Sequence, residues 1–157
     1  MIPRRVDISE LLRPNKVLIL YGPRQIGKTT LVHQYLSTAP VFPGGIISQT
    51  GDDIPFANQF SQCDLHFLRS TIPPESLLVI DEAQRVPNIG QGLKLIIDNI
   101  PGVRVIATGS SSFDLMQSAG EALTGRKIVV TLYPISVHES LSSTNRWDAP
   151  RHLPDYL

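Results

Sequence analysis

The sequence contains a single cysteine and no long apolar run, and these two features exclude several classes of protein. Cys63 is the only cysteine among 157 residues, so an internal disulfide is excluded and a cysteine-based metal site is not expected. This usage favours a reducing, cytoplasmic compartment. The apolar runs are far shorter than the roughly 18 residues that a membrane-spanning helix needs. We therefore expect a soluble protein with no membrane contact.

Charge of either sign is also scarce. The 14 basic residues balance the 14 acidic ones, and charged residues make up 18% of the chain, below the roughly 25% typical of soluble domains. No overall field draws the chain to nucleic acid or to an anionic membrane, so such binding would need a local patch, and the sequence identifies no particular protein or DNA partner. Candidate basic residues near the N-terminus are Arg4, Arg5, Arg13, Lys16 and Arg24.

Short apolar runs alternate with segments of helical periodicity, and the length predicts a single domain over residues 1–157. Strands are predicted at residues 16–21, 44–48, 77–80, 103–107 and 128–132, and helices at 9–12, 27–37, 56–70 and 90–99. This alternation predicts an α/β fold, a parallel sheet sandwiched by helices. Ligands of such sheets bind at the carboxyl ends of the strands.

A phosphate-binding loop (Walker A) is predicted between the first strand and the helix that follows it. The stretch fits the pattern G-x-x-x-x-G-K-[ST] at every fixed position, and it comprises Gly22, Pro23, Arg24, Gln25, Ile26, Gly27, Lys28 and Thr29, followed by Thr30. Glycines allow the backbone N–H groups to approach phosphate oxygens closely. Lys28 would contact the outer phosphates, and the Thr29 hydroxyl would coordinate magnesium. The stretch therefore predicts binding of ATP with Mg²⁺.

An acidic pair at the end of a buried strand predicts the second half of a magnesium site (Walker B). Asp81 follows four apolar residues at 77–80, and Glu82 comes next. At the carboxyl edge Asp81 can hold magnesium, directly or through water, while Glu82 can orient or deprotonate an attacking water. An ordinary solvated acidic pair is the alternative interpretation.

Two further segments are candidates for contacting the terminal phosphate. The hydroxyls of residues 108–112, Thr108 and Ser110 among them, follow a strand expected between the two just described. They can act as a sensor of phosphate, as a helix N-cap before Phe113, or as both. Arg126 in "LTGR" can stabilise phosphate charge, from its own chain or across a subunit contact. It can equally be a surface arginine at the start of the last strand.

The residues resemble those of the prokaryotic AAA+-type ATPases related to archaeal-type ATPases. The matching stretches are "LILYGPRQIGKTTL", "LLVIDEAQRVPNIGQGLKLIID", "VIATGSSSFDL" and "LTGRKIVVTLYPISVHE", which span residues 16–139. The resemblance implies a P-loop NTPase fold of the AAA+ type and ATP binding at residues 22–30. It also implies a magnesium and water role for Asp81 and Glu82, a sensor within 108–110, and phosphate sensing by Arg126.

The sequence departs from this family in two respects. Val137 stands where the family usually has an aromatic residue, and the chain ends at Leu157, where the family generally continues into a helical lid and a C-terminal domain. We therefore expect an ATPase core without its usual continuation. Such sites often borrow a charge from a lid or a neighbouring subunit, so a homo-oligomer remains open.

Other functions stay open on the sequence alone. "DEAQ" at residues 81–84 also occurs as a helicase motif, although the loop and the third motif read differently in helicases and no second motor domain is present. A small-molecule kinase shares the phosphate loop but seldom needs the acidic pair followed by a sensor strand. A GTPase would show a guanine-reading Asn-Lys-x-Asp downstream. The non-enzymatic alternative is an interaction module that binds nucleotide with negligible hydrolysis.

Overall fold

The computed structural model describes residues 6–110 and 122–134. Five strands lie in these ranges: β1 (Lys16–Tyr21), β2 (Ile46–Thr50), β3 (Leu77–Asp81), β4 (Arg104–Gly109) and β5 (Lys127–Thr131). The helices are α1 (Ile8–Leu11), α2 (Lys28–Thr38), α3 (Ile54–Ser61), α4 (Leu65–Thr71) and α5 (Ile89–Asn99), with a 3₁₀ turn at Ala83–Arg85. Within the described ranges, no helix is long and apolar enough to cross a membrane.

The five strands form one sheet in the order β2-β3-β4-β1-β5, and every neighbouring pair is parallel. The predicted parallel α/β architecture is confirmed, as is the expected position of β4 between β3 and β1. The residues of β1 and β4 are buried almost throughout, and the first four residues of β3 are buried too. Continuous apolar runs are typical of strands that helices cover on both faces.

Alternate residues of the central strands pack into two hydrophobic layers, one on each face of the sheet. Val17 and Ile19 of β1 pack with α3, α4 and α5, whose buried members include Phe60, Leu68 and Leu93. The other face carries Leu18 and Leu20, which pack with α1 and α2 through Ile8, Leu31 and Val32. Because successive side chains of a strand point to opposite faces, the same apolar run supplies both layers. The sheet is thus sandwiched by helices, as predicted.

Two predicted elements need correction. The helix predicted at residues 56–70 is two helices, α3 and α4, because Cys63 has a left-handed backbone (φ 52°) and Asp64 caps a new helix through the N–H of His66. The strand predicted at 44–48 is β2, two residues later, because Gly45 forms a turn in which its N–H donates to the Phe42 carbonyl. The other bounds agree within two residues.

Candidate functional site

The carboxyl edge of the sheet brings together the predicted phosphate loop, Asp81, Glu82 and Thr108. The loop follows β1, the acidic pair ends β3, and Thr108 lies near the end of β4. Beside them is an open cavity of about 420 Å³. Its lining consists of Arg24, Gln25, Gly27, Lys28, Thr29, Thr30, Asp52, Glu82 and Arg85. Six of the nine positions predicted to bind phosphate therefore line one cavity.

Close backbone packing shapes the phosphate loop. A side chain at Gly22 would place its Cβ 2.2 Å from the carbonyl oxygen of Leu132, which no other residue could accommodate without displacing the backbone. Gly27 is the N-cap of α2 in a left-handed conformation, and no side chain caps the first N–H groups of that helix. Uncapped N–H groups and the helix dipole favour an anion at this position.

Lys28 places a buried cation inside the loop. It is 5% exposed, and its Nζ donates to the carbonyl oxygens of Gly22 and Pro23, 2.8 Å away in each case. Burial lowers the pKa of Lys28, and the nearby Glu82 and Asp81 partly offset this effect. A buried ammonium group is costly unless an anion compensates it, and phosphate would supply that charge.

Asp81 connects the loop to the neighbouring strands. The Thr29 hydroxyl donates to Asp81 Oδ2 at 2.9 Å, and the buried Thr108 hydroxyl donates to Asp81 Oδ1. Thr108 Oγ1 also accepts a hydrogen bond from the Glu82 N–H at 3.2 Å. Thr108 therefore orients the acidic pair in this structure, rather than extending into the cavity.

Thr29 and Asp81 fit a magnesium ion by their donor atoms. A hydroxyl and a carboxylate oxygen already meet at hydrogen-bond distance, and hard oxygen donors are the ligands that Mg²⁺ prefers. Sites of this kind use one or two protein groups, and substrate phosphates and water complete the octahedron. The residues present are thus suited to hold Mg²⁺ together with a nucleotide.

Glu82 lines the cavity, and its side chain is held by neighbours. Its backbone is left-handed (φ 49°). Its Oε2 accepts hydrogen bonds from Gln84 Nε2 and, at 3.4 Å, from Ser110 Oγ. The sequence prediction included Glu82 and Ser110, but it noted Gln84 only as part of a helicase-like motif. The remaining sensor-run residues, 111 and 112, and the departure at Val137 lie outside the described residues.

Arg126 lies at the opposite edge of the sheet. It precedes β5, whose Lys127 pairs with Val17 near the start of β1, whereas the phosphate loop follows the end of β1. Five strand residues at about 3.3 Å each separate the two edges by roughly 16 Å. Its guanidinium contacts Asp98 at 3.2 Å. Arg126 therefore lies far from the phosphate loop of its own chain, and its contact with phosphate, from its own chain or across a subunit contact, stays a prediction.

The basic residues near the N-terminus do not form one patch within the described residues. Arg24 lines the cavity at the carboxyl edge, while Lys16 begins β1 and Arg13 precedes it at the amino edge. Arg4 and Arg5 lie outside the described residues. Arg24 is therefore separated from Arg13 and Lys16 by the length of the six-residue strand β1.

Asp52 and Arg85 line the same cavity, and the sequence prediction missed both. They form an ion pair with a closest N–O distance of 2.5 Å. Arg85 follows Glu82 closely in the chain, but Asp52 is about 30 positions away from Arg85, and only the pairing of β2 with β3 brings them together. An acidic residue just after a strand of the same sheet was the available sequence signal.

The parallel sheet, with a glycine-rich loop between β1 and α2 and an aspartate at the end of β3, defines a P-loop NTPase-type α/β fold. A family model described as "AAA domain" matches residues 14–141. The chain belongs to this family of P-loop ATPases, which confirms the resemblance, and membership implies nucleotide binding.

Two curated relatives are similar to this chain over most of its length, and a third is similar over less than half of it. The uncharacterized protein Rv2008c of Mycobacterium tuberculosis is 34% identical over 147 residues, which cover 91% of this chain and 31% of that protein. The uncharacterized protein MJ1544 of Methanocaldococcus jannaschii is 29% identical, over 88% of this chain and 31% of its own length. The zinc import ATP-binding protein ZnuC of Yersinia pestis is 42% identical over 72 residues, which cover 45% of this chain and 26% of ZnuC. The chain thus spans about a third of the first two relatives.

Proposed function

We propose that the chain is an ATP-binding core that hydrolyses ATP with Mg²⁺ or uses it as a conformational switch. The observation that carries the proposal is the 2.9 Å hydrogen bond from the Thr29 hydroxyl to Asp81 Oδ2. It joins the phosphate loop to the acidic strand end, and it unites the two side chains whose oxygens suit magnesium. Family membership supports nucleotide use.

The proposed roles follow from what each side chain contacts. The loop N–H groups and Lys28 bind and orient phosphates, and Thr29 and Asp81 hold the metal. When bound, magnesium would neutralise charge on the transferred phosphoryl group. Glu82 would accept a proton from the attacking water, since its carboxylate lines the same cavity as Lys28 and Thr29. Thr108 and Ser110 would keep Asp81 and Glu82 in position.

A second candidate function is a nucleotide-dependent interaction module with negligible hydrolysis. The observation that favours it is the engagement of Glu82 Oε2 by Gln84 and Ser110, because these contacts occupy a carboxylate oxygen that would have to accept a proton from water. Helicase activity remains a further candidate from "DEAQ". Protein or DNA partners, a homo-oligomer, a cytoplasmic location, and completion of the core by a lid and a C-terminal domain are proposals at the same level.

An assay of phosphate release distinguishes ATP hydrolysis from the interaction module and from the helicase. We expect release from ATP that depends on Mg²⁺ and stops on chelation, because the Thr29–Asp81 pair is assigned to the metal. Parallel assays with GTP and with single- and double-stranded DNA test base preference, stimulation and unwinding. Tight Mg-ATP binding without release, with or without DNA, would leave the interaction module as the function. Release that persists unchanged after chelation would contradict the magnesium assignment.

A further inference from the structure

Asp52 and Arg85 form an ion pair that lines the open cavity at the carboxyl edge of the sheet. This pair has no role in the chemistry proposed above. The two side chains are 52% and 51% exposed and meet at 2.5 Å. Exposed ion pairs contribute little to the stability of a fold. Folding alone therefore gives little reason for a charged pair at the cavity that also contains Lys28, Thr29 and Glu82.

Backbone contacts tie both members of the pair to the acidic strand end. The Arg85 N–H donates to the Glu82 carbonyl at 3.0 Å, and the Gly51 N–H donates to the Asp81 carbonyl at 2.8 Å. A Cβ at Gly51 would lie 2.3 Å from the Glu82 carbonyl oxygen. The turn that bears Asp52 therefore packs directly on the residues assigned to magnesium and water.

The charges of the cavity suggest why a pair is present. Asp81 is engaged by two hydroxyls and Glu82 by Gln84 and Ser110, whereas the one charged partner of Arg85 among the described residues is Asp52. A guanidinium has a planar set of donors that matches the geometry of both carboxylate and phosphate oxygens. An incoming phosphate would attract Arg85 and repel Asp52, so the two anions would compete for one cation.

We propose that Arg85 binds the terminal phosphate of a nucleoside triphosphate, and that Asp52 holds Arg85 until this phosphate arrives. The exchange makes the cavity prefer a triphosphate to a diphosphate, which lacks the competing group. This inference rests on the proposed function, because it needs nucleotide at the loop. The rival explanation is a surface ion pair that has no effect on nucleotide choice.

Opposite effects of the two neutralising substitutions test the proposal. Dissociation constants are measured by titration calorimetry for a non-hydrolysable ATP analogue and for ADP, both with Mg²⁺. Arg85→Gln should weaken binding of the analogue by about 10-fold or more, the usual effect of losing a charged hydrogen bond, and change ADP binding little. Asp52→Asn should strengthen binding of the analogue several-fold, and most of this gain should vanish in the double variant.

Matched variants outside the cavity control for general charge effects. Arg69→Gln removes an exposed arginine bonded to Asn99, and Glu10→Gln removes an exposed carboxylate of α1. Neither should change the ratio of the ADP to the analogue dissociation constant. Melting temperatures without nucleotide verify folding, and Arg85→Lys, which keeps the charge but loses the planar fork, should retain part of the preference.

The outcomes separate this inference from the function on which it rests. If the parent chain binds both nucleotides and neither Arg85→Gln nor Asp52→Asn changes their ratio, the pair is structural and the Arg85 proposal is overturned while the proposed function stands. Equal weakening by both substitutions overturns it too, since the proposal requires opposite signs. A parent chain that binds neither nucleotide refutes the proposed function together with the inference.

Discussion

Replacing Glu82 by glutamine should lower ATP turnover by about 10²–10⁴-fold, the usual contribution of a general base, while Mg-ATP affinity stays near that of the parent chain. Glutamine keeps the size of the side chain and can still accept the hydrogen bond from Gln84. It cannot take a proton from water at neutral pH. Initial rates of phosphate release, measured beside nucleotide affinity, provide the check.

Asp81→Asn is the contrasting variant for this experiment. It alters the carboxylate that accepts hydrogen bonds from Thr29 and Thr108, so it should weaken the magnesium-dependent part of ATP binding itself. The two neighbouring acids would then affect different steps. A Glu82→Gln chain that turns over as fast as the parent would show that the base has been assigned to the wrong residue.

Turnover should be restored by mixing two inactive chains if Arg126 acts across a subunit contact. Arg126 lies at the amino edge of the sheet beside the edge strand β5, with its side chain 44% exposed, so the phosphate that it could contact belongs to another chain. An arginine supplied in this way contributes about 10³-fold or more to turnover. Arg126→Ala chains lack the arginine but keep the loop, and Lys28→Ala chains lack the loop lysine but keep the arginine.

The mixture of the two variants should exceed either variant alone, and parent activity per chain should rise with protein concentration. Asp98→Asn is the control, because it removes the partner of Arg126 within its own chain and leaves the guanidinium in place. Full activity of Arg126→Ala by itself would end the proposal and leave Arg126 as a surface residue paired with Asp98.

The sequence was sufficient for features that neighbouring residues encode. The buried strands β1, β3 and β4 are continuous apolar runs, and the phosphate loop is a contiguous pattern between a strand and a helix. Because parallel strands end at one edge, placing Asp81 beside Thr29 required only the strand order. These inferences depend on short-range periodicity and on one general property of parallel sheets.

Features that depend on distant pairing were not predictable in the same way. The contact of Asp52 with Arg85 requires the register of β2 against β3 and the close approach at Gly51. The position of Arg126 at the amino edge follows from its place before β5, a strand whose bounds were predicted one residue late. The division between α3 and α4 depends on the left-handed backbone of Cys63, for which helical periodicity gives no signal.

The melting temperature of the parent chain with saturating Mg-ATP tests most directly whether the loop at residues 22–30 binds the phosphates of a nucleotide. Ligand at about 100 times its dissociation constant stabilises a fold by about 2.7 kcal/mol, which raises the melting temperature of a domain this size by roughly 5–11 °C. Lys28→Ala should lose most of this rise, whereas Lys16→Ala, at the other end of β1, should keep it. An unchanged melting temperature of the parent chain would show that the loop does not bind nucleotide phosphates.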